Sequence, residues 1–445
     1  MVGLALPVVL VQVGQMFMGV VDALMVGHVS AEALAAAALG NLYFYVIAIF
    51  GIGTLLALDP IVSQAVGADD RPAIARAMQR GLLLAVVLTL VSSPLMLVAE
   101  PALRALRQTP SVAAAAASYT RAIMPGMLPF YVFVVFRQTL QAHRRVAPVV
   151  IAIVAANLAN AGLNWVLVFG HLGFAALGVV GSGHATAISR WLMPLVLLAL
   201  SWRLLRPHLT PWRDDLLDAG ALGRMLAIGM PIGAQMMLEY GVFAIAGVMM
   251  GWIGTTALAG HQVALNLASL TFMVPLGVSS AAAVLVGSAV GRGDMPEARR
   301  AAGAAFVGGV SFMAVSATVM LLAPGFFARL YSNDAAVVAV AASLIPIAGV
   351  FQVFDGLQVV AIGVLRGVAD TRAPMLINIL GFWLMGLPVS WWLGVHQRQG
   401  PAGLWWGLTF GLIVVAAMLA LRARVKLGGE VRRVLIDRDG NPHGV

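Results

Sequence analysis

The sequence predicts an all-α polytopic membrane protein, with twelve transmembrane helices in two pseudo-symmetric six-helix bundles related as a parallel repeat. Three observations predict it: the composition, the number of long apolar runs, and a self-match at one constant offset. The 445 residues are 61% hydrophobic and 10% charged, with a mean hydropathy of +0.95. A soluble domain carries about 25% charged and about 45–50% apolar residues. This chain has too little polar surface to cover itself in water and too much apolar area to stay disordered. Its 48 Gly and 21 Pro fit a membrane protein, where both are commoner than in soluble helices. The lack of Cys removes disulfides, thiolate metal sites and cysteine nucleophiles.

A spanning helix needs about 20 predominantly apolar residues. Such stretches lie at 4–27, 33–60, 80–101, 113–138, 147–170 and 177–204, and then at 225–251, 257–288, 302–328, 336–364, 374–395 and 402–424. Between the sixth and seventh, residues 205–224 form the longest polar interruption, with Arg206, Pro207, Pro211, Arg213, Asp214, Asp215 and Asp218. The predicted organisation is therefore an N-terminal lobe 1–204, a cytoplasmic linker 205–224, a C-terminal lobe 225–424 and a cytoplasmic tail 425–445. Met1 leads straight into an apolar run without a basic lead, so the first helix itself is expected to direct insertion.

The net charge of +9 raises nucleic acid as a partner, but the cations are scattered between apolar runs and form no patch. Their distribution gives orientation instead. Loops after even-numbered spans, with the tail and adjoining helix ends, hold 21 of the 27 Lys and Arg; the other loops hold four. The positive-inside rule then puts both termini in the cytoplasm.

Shifting the chain by 224 residues aligns the starts of the two halves without a gap. Pro7 falls on Pro231, Gly27 on Gly251 and Gly53 on Gly277. Asp70, Pro72 and Arg76 fall on Asp294, Pro296 and Arg300. Each half has an even number of spans, so the copies sit the same way up, as in transporters whose halves rock about a central cleft.

Three carboxylates lie well inside predicted spans: Asp22, Glu239 and Asp355. Each costs about 2.5–3.5 kcal/mol or more at mid-membrane, so each is a functional candidate. Burial favours the protonated carboxyl, while the ionised form takes a small cation such as Na+ with carbonyl and amide oxygens. The competing view is a buried acid paired with Arg121 or Arg190, the cations inside spans, but neither is local in sequence to an acid. Asp59, near the cytoplasmic end of the second span, reads as loop-proximal. The repeat keeps the scaffold but not the charges, since Asp22 superposes on Ala246 and Glu239 on Gln15. Glu239 thus sits roughly 10 Å nearer the cytoplasm than Asp22 in repeat terms, at about 1.5 Å per residue.

Asn160 and Asn164, spaced i and i+4 on helix 5, line a polar cavity or bind neighbouring helices. Phe272 belongs to a set of aromatics able to face a cleft and hold a cationic aromatic compound. No Gly-Lys-Ser/Thr exists, because the only Lys, Lys426, precedes Leu427; the chain carries no nucleotide-driven motor. Energy must come from an ion gradient or from the substrate. Gly277-Val278-Ser279-Ser280 raises an intramembrane hydrolase, but the only later histidines are His396, at a helix end, and His443, in the tail.

These residues resemble the multidrug and toxic compound extrusion (MATE) family, most nearly its NorM-type bacterial branch. The segments that carry the resemblance are Met18 to Asp22 with Met25 and Gly27, Pro231 to Glu239, and Gly260-His261-Gln262-Val263-Ala264. To these are added Phe351-x-x-x-Asp355-x-x-Gln358, Leu365-Arg366-Gly367 with Asp370-Thr371, and Asn160 with Asn164. The resemblance implies an inner-membrane drug exporter driven by entry of Na+ or H+, not an enzyme and without a cofactor beyond that ion. Its expected partners are small organic compounds, often cationic, and the lipid bilayer, with the chain acting as a monomer. It implies cation or proton coupling at Glu239 and Asp355, which would also be the Na+ ligands if sodium couples, and a coupling or substrate role for Asp22. It also implies drug contact at Gln262 and Asp334; Phe272 stands where an aromatic of variable type occurs. One departure is that the chain begins almost at helix 1, so any amphipathic lead segment is missing or was trimmed. A lipid-linked precursor flippase of the same superfamily is the alternative; it calls for extra helices and a strongly cationic cleft, for which only Arg121 and Arg190 are at hand.

Overall fold

The computed structural model describes residues 2–437; the last eight residues of the predicted tail, with His443, lie outside the described residues. Among the described residues, twelve helices are long and apolar enough to cross a membrane. They are α1 (Gly3–Gly27), α2 (Ala31–Gly67), α3 (Arg71–Leu97), α4 (Pro110–Ala142), α5 (Ala147–Phe169), α6 (Val179–Leu209), α7 (Ala219–Ile253), α8 (Thr255–Gly291), α9 (Met295–Leu322), α10 (Ala335–Gly367), α11 (Arg372–His396) and α12 (Gly400–Gly428). Two short helices, Ala99–Ala105 and Pro324–Tyr331, follow α3 and α9, the same place in each copy of the repeat.

The ends of these helices have local causes. Ser30 caps α2 by accepting from Ala33 N, at 3.0 Å. Asp70 caps α3 by accepting from Ala73 N at 3.0 Å, and Asp294 caps α9 by accepting from Glu297 N at 2.9 Å. The two aspartates share one conformation, with φ −89° and ψ 79° at Asp70 and φ −90° and ψ 78° at Asp294. Both precede a Pro near the helix start, where a missing N–H costs nothing. The repeat found in the sequence is thus repeated in backbone geometry.

Three helices are interrupted. A turn at Leu56–Ala57 breaks α2, and its continuation Leu58–Gly67 carries the helix past the expected end at 60. A 3-10 turn at Met124–Gly126, centred on Pro125, interrupts α4. Two π-helical stretches, Ile379–Gly386 and Trp392–His396, lie within α11.

The chain forms two compact units. One holds Leu10–Gly233 and the tail from Leu435; the other holds the residues up to Val9 with Ala234–Val434. The divisions fall inside α1, inside α7 and between Val434 and Leu435. In the first unit a Cβ placed on Gly53 of α2 would stand 2.5 Å from Gly233 Cα. In the second unit a Cβ on Gly277 of α8 would stand 3.0 Å from Val9 N. Gly53 and Gly277 are repeat equivalents, and so are Val9 and Gly233. Each copy therefore packs its second helix closely against the first helix of the other copy.

Ends of the first unit are tied by charge. Arg80, 1% exposed, donates to Asp437 Oδ1 at 2.6 Å and to Asp215 O at 2.8 Å. Gln79 donates to the carbonyls of His208, Leu209 and Pro211, and accepts from Arg213 N. Arg224 Nε donates to Ile436 O at 2.5 Å. The segment after α6 and the tail are thereby fastened onto α3.

Candidate functional site: carboxylates inside the spans of each unit

In the first unit the site is built around Asp22, 6% exposed on α1. Asn164 Nδ2 donates to Asp22 Oδ1 at 2.7 Å, and Thr186 Oγ1 donates to Asp22 Oδ2 at 2.5 Å. Asn160 Nδ2 in turn donates to Thr186 Oγ1 at 3.3 Å, and Asn164 Nδ2 lies 3.2 Å from Asn160 Oδ1. Asn160 and Asn164 meet because an i, i+4 pair shares one helix face. α5 and α6 thus present three polar side chains to one acid on α1. A cavity of about 260 Å³ opens beside it, lined among others by Gln15, Asn41, Tyr45, Phe130, Thr186 and Arg190.

Two sequence expectations change here. Arg190 has no sequence proximity to an acid, yet it lines the same cavity as Asp22, because the packing of α6 brings it there. Arg121 is exposed and donates to Ser118 Oγ at 3.1 Å. Asp59 is not loop-proximal: it is 3% exposed and accepts a hydrogen bond from Gln138 Nε2 on α4. The whole stretch 53–65 of α2 is buried, so Asp59 is enclosed with its neighbours.

The second unit carries the other two acids. Gln358 Nε2 donates to Glu239 Oε1 at 3.0 Å. Gln358 lies three residues beyond Asp355 on α10, so both face the same side. Trp383 Nε1, within the first π-helical stretch of α11, donates to Leu238 O at 3.2 Å, next to Glu239. The π-helix widens the turn that presents this indole; such bulges are frequent at functional sites. Glu239 and its repeat equivalent Gln15 both accept a side-chain hydrogen bond, Gln15 from Arg137 Nη1 at 3.4 Å. The acid has one partner and the amide another, so the two copies keep the position and change its charge.

The remaining expected residues are not gathered at these clusters. Asp334 caps α10, accepting from Ala336 N at 2.8 Å and Val337 N at 3.3 Å. It stands 21 residues before Asp355 on one helix, about 30 Å away at 1.5 Å per residue. Gln262 is exposed and Phe272 half-buried on α8. His261 is buried against Trp405, with ring centroids 5.7 Å apart and neither ring nitrogen bonded. Ser279 is no free nucleophile, because its Oγ donates to Val359 O at 2.6 Å. Sequence reasoning missed Thr186, whose only local signal is its i, i+4 spacing from Arg190. It also gave Gln358 no role, although the residue is one turn from Asp355.

A multi-helix membrane protein of two units, each with an acid inside its spans held by amides or hydroxyls, buried in the first unit and half-buried in the second, is the class these features define. A family model described as MatE matches residues 7–166 and again residues 231–392. The two matches start at Pro7 and Pro231, the repeat-equivalent prolines. The chain belongs to the MatE family. It is 39% identical over 435 residues to a probable multidrug resistance protein NorM of Mesorhizobium japonicum, covering 94% of this chain and 92% of that one. It is 34% identical over 442 residues to the multidrug resistance protein MdtK of Pectobacterium atrosepticum, covering 97% and 96%. The crystal structure of the eukaryotic MATE transporter AtDTX14 superposes with a TM-score of 0.85 at 22% identity, covering 96% of this chain and 98% of that one. At that identity the likeness speaks for the fold.

Proposed function

We propose that this chain is a secondary active multidrug exporter of the bacterial inner membrane. It exchanges organic, often cationic, compounds for entering Na+ or H+ by alternating access, as a monomer with both termini in the cytoplasm. The observation that carries the reading is the Asp22 cluster: a buried carboxylate at the wall of a cavity, held by Asn164 and Thr186. The names of the relatives NorM and MdtK as multidrug resistance proteins support it. The 21 cations on one set of loops support the orientation.

The chemistry follows from the charge. The ionised Asp22 attracts an organic cation at the cavity, and Asn164 and Thr186 stabilise that state by donating to it. An arriving proton or Na+ neutralises the carboxylate and weakens its hold on the cation. Glu239 and Asp355 are a second acidic pair able to share a proton or hold Na+, with Gln358 steadying Glu239. One net charge moving through 100 mV supplies about 2.3 kcal/mol, whereas a one-for-one exchange against a monovalent organic cation moves no net charge and draws on the ion's concentration gradient alone.

The test is efflux of a cationic dye from proteoliposomes under an imposed Na+ gradient or an imposed pH gradient, each alone. Efflux with one gradient supports the antiporter and names its ion. Efflux with neither, in vesicles shown to hold folded protein, sinks the reading.

A further inference from the structure

The start of α9 and the ends of α10 and α12 meet at one end of the second unit. Arg299 Nε donates to Leu427 O at 2.6 Å, and its Nη2 donates to Gly428 O at 3.3 Å. These are carbonyls of the last turn of α12, which no helical N–H satisfies. A guanidinium carries more donors than these two bonds use. Arg422 Nε, near the end of α12, donates to Asp370 Oδ2 at 2.8 Å, just beyond α10. A groove of about 570 Å³ lies where the three helices come together, lined among others by Arg299, Gly303, Phe306, Leu357, Ala420 and Arg424.

The groove is charged at its mouth and apolar along its floor. Arg299 stands four residues from the start of α9 and Arg424 four from the end of α12, about 6 Å along each helix at 1.5 Å per residue. Phe306, Leu357 and Ala420 stand 11, 10 and 8 residues from the matching ends of α9, α10 and α12, about 12–17 Å deep. Arg299, Gly303 and Phe306 follow one another at i, i+4 and i+7, so one face of α9 carries both the charge and the apolar track. Leu357 is two residues beyond Asp355 and does not share its face of α10, so the groove is separate from the acid cluster.

Neither arginine has an acid to pair with. Among the described residues no carboxylate stands within ion-pair distance of Arg299 or Arg424, and the acids close by are committed elsewhere. Asp294 caps α9, Glu297 holds Arg300 at 3.0 Å, and Asp370 holds Arg422 and Lys426. Two unpaired guanidinium groups at headgroup depth suit a phosphate, and basic pockets between membrane helices are known to take phosphate headgroups. The amine of a zwitterionic headgroup would meet only like charge there.

We propose that this groove binds an anionic phospholipid from the leaflet at this end of the helices. Its phosphate sits between Arg299 and Arg424, and one acyl chain runs along Gly303, Phe306, Leu357 and Ala420. The lipid is a bound component and not a transported compound, so the site is independent of the exporter reading.

The experiment is a lipid titration of the purified, delipidated full-length protein in detergent micelles, read by native mass spectrometry. The probes are phosphatidylglycerol, phosphatidylethanolamine with the same acyl chains, and inorganic phosphate. The wild type is expected to bind its first phosphatidylglycerol about 10-fold or more tightly than its first phosphatidylethanolamine, the scale of a hydrogen bond to a charged group. Arg424→Gln, at a side chain with no hydrogen bond to lose, is expected to remove most of that preference, and Arg424→Lys to retain part of it. Arg300→Gln, outside the groove, is expected to leave it intact. A Cβ on Gly303 meets nothing within 4 Å, so Gly303→Leu fills the groove and should weaken both lipids about 5-fold or more. Equal affinity of the wild type for the two lipids overturns the proposal. So does a preference that survives in Arg424→Gln combined with Arg299→Gln, or lipid binding unchanged in Gly303→Leu. A preference lost equally in Arg300→Gln would mark general surface charge, and displacement of the lipid by millimolar phosphate would mark a free anion as the occupant; either overturns it. The first comparison needs no variant, so misfolding of a variant does not shield the proposal.

Discussion

Arg80 Nη1 donates to Asp437 Oδ1 at 2.6 Å, although the two residues are 357 positions apart. Arg80 is almost fully enclosed, and its other partners are the Asp215 carbonyl at 2.8 Å and the Asp215 carboxylate at 3.6 Å. Arg76 also reaches Asp437, at 2.5 Å. Asp437→Asn should therefore lower stability by about 1.5–3 kcal/mol, the scale of a hydrogen bond to a charged group. Asp215→Asn should cost less, because that carboxylate is longer-range and more exposed. Thermal melting of the purified protein checks both. A double variant, Arg80→Met with Asp437→Leu, should recover only the Arg80 share of the loss, since Arg76 still loses its partner Asp437. Melting of Asp437→Asn at the wild-type temperature would remove the tail from the list of structural elements.

The Asp22 cluster makes a prediction that separates charge from packing. Thr186→Val removes one donor from Asp22 at nearly constant volume, whereas Thr186→Ser keeps the hydroxyl. Losing a hydrogen bond to a charged acceptor costs about 1.5–3 kcal/mol, or roughly 10–150-fold in an equilibrium constant. Dye efflux by Thr186→Val should fall about 10-fold or more at normal abundance, and Thr186→Ser should stay near wild type. Asp22→Asn should abolish exchange. Equal efflux by the valine and serine variants would show that Thr186 only packs.

Glu239, Gln358 and Asp355 should behave as one unit. Glu239→Gln or Asp355→Asn is expected to bring efflux close to background in cells that express the protein normally. Gln358→Leu should reduce it less, because the acids remain. In a double-mutant cycle, Gln358→Leu should add almost nothing to Glu239→Gln, as expected for groups in direct contact. Additive losses would mean that the 3.0 Å contact between Gln358 and Glu239 has no part in transport.

These sites were unequally legible from sequence, for physical reasons. Twelve apolar runs are read directly because each must supply about 30 Å of hydrocarbon-compatible helix. The acids stand out because charge is expensive there, and Asp70 and Asp294 because a cap before a proline is local chemistry. The meeting of Asp22 with Thr186 is not local. It depends on how α6 packs, and no spacing within 164 residues announces it. The loop-proximal reading of Asp59 failed because apolar patterning does not show that α2 continues, buried, beyond it to Gly67. Asp334 was placed near a drug site by resemblance, while its position before a helix already fits a cap. The exchange of first helices between the copies was also invisible, since Val9 and Gly233 look like ordinary residues in long apolar runs.

That exchange gives a last prediction, in which the two copies should respond differently to the same substitution. A Cβ on Gly53 would meet only backbone: Gly233 Cα at 2.5 Å, Gly233 N at 2.8 Å and Ile232 C at 3.1 Å. A Cβ on Gly277 would meet the Val9 side chain first, with Cγ2 at 2.4 Å, and then Val9 N at 3.0 Å. Overpacking of this kind costs about 1–3 kcal/mol, so both Gly53→Ala and Gly277→Ala should lower the melting temperature. Val9 is β-branched and cannot swing its methyl away freely. Shortening it is the only easy relief, so Val9→Ala should rescue part of the loss in Gly277→Ala. No equivalent rescue exists for Gly53→Ala, because the residue it strikes is already glycine. Rescue of Gly277→Ala by Val9→Ala, measured by melting, would confirm that the first turns of α1 pack on α8. Its absence, with Gly277→Ala still destabilised, would point to backbone contact alone as the source of the loss.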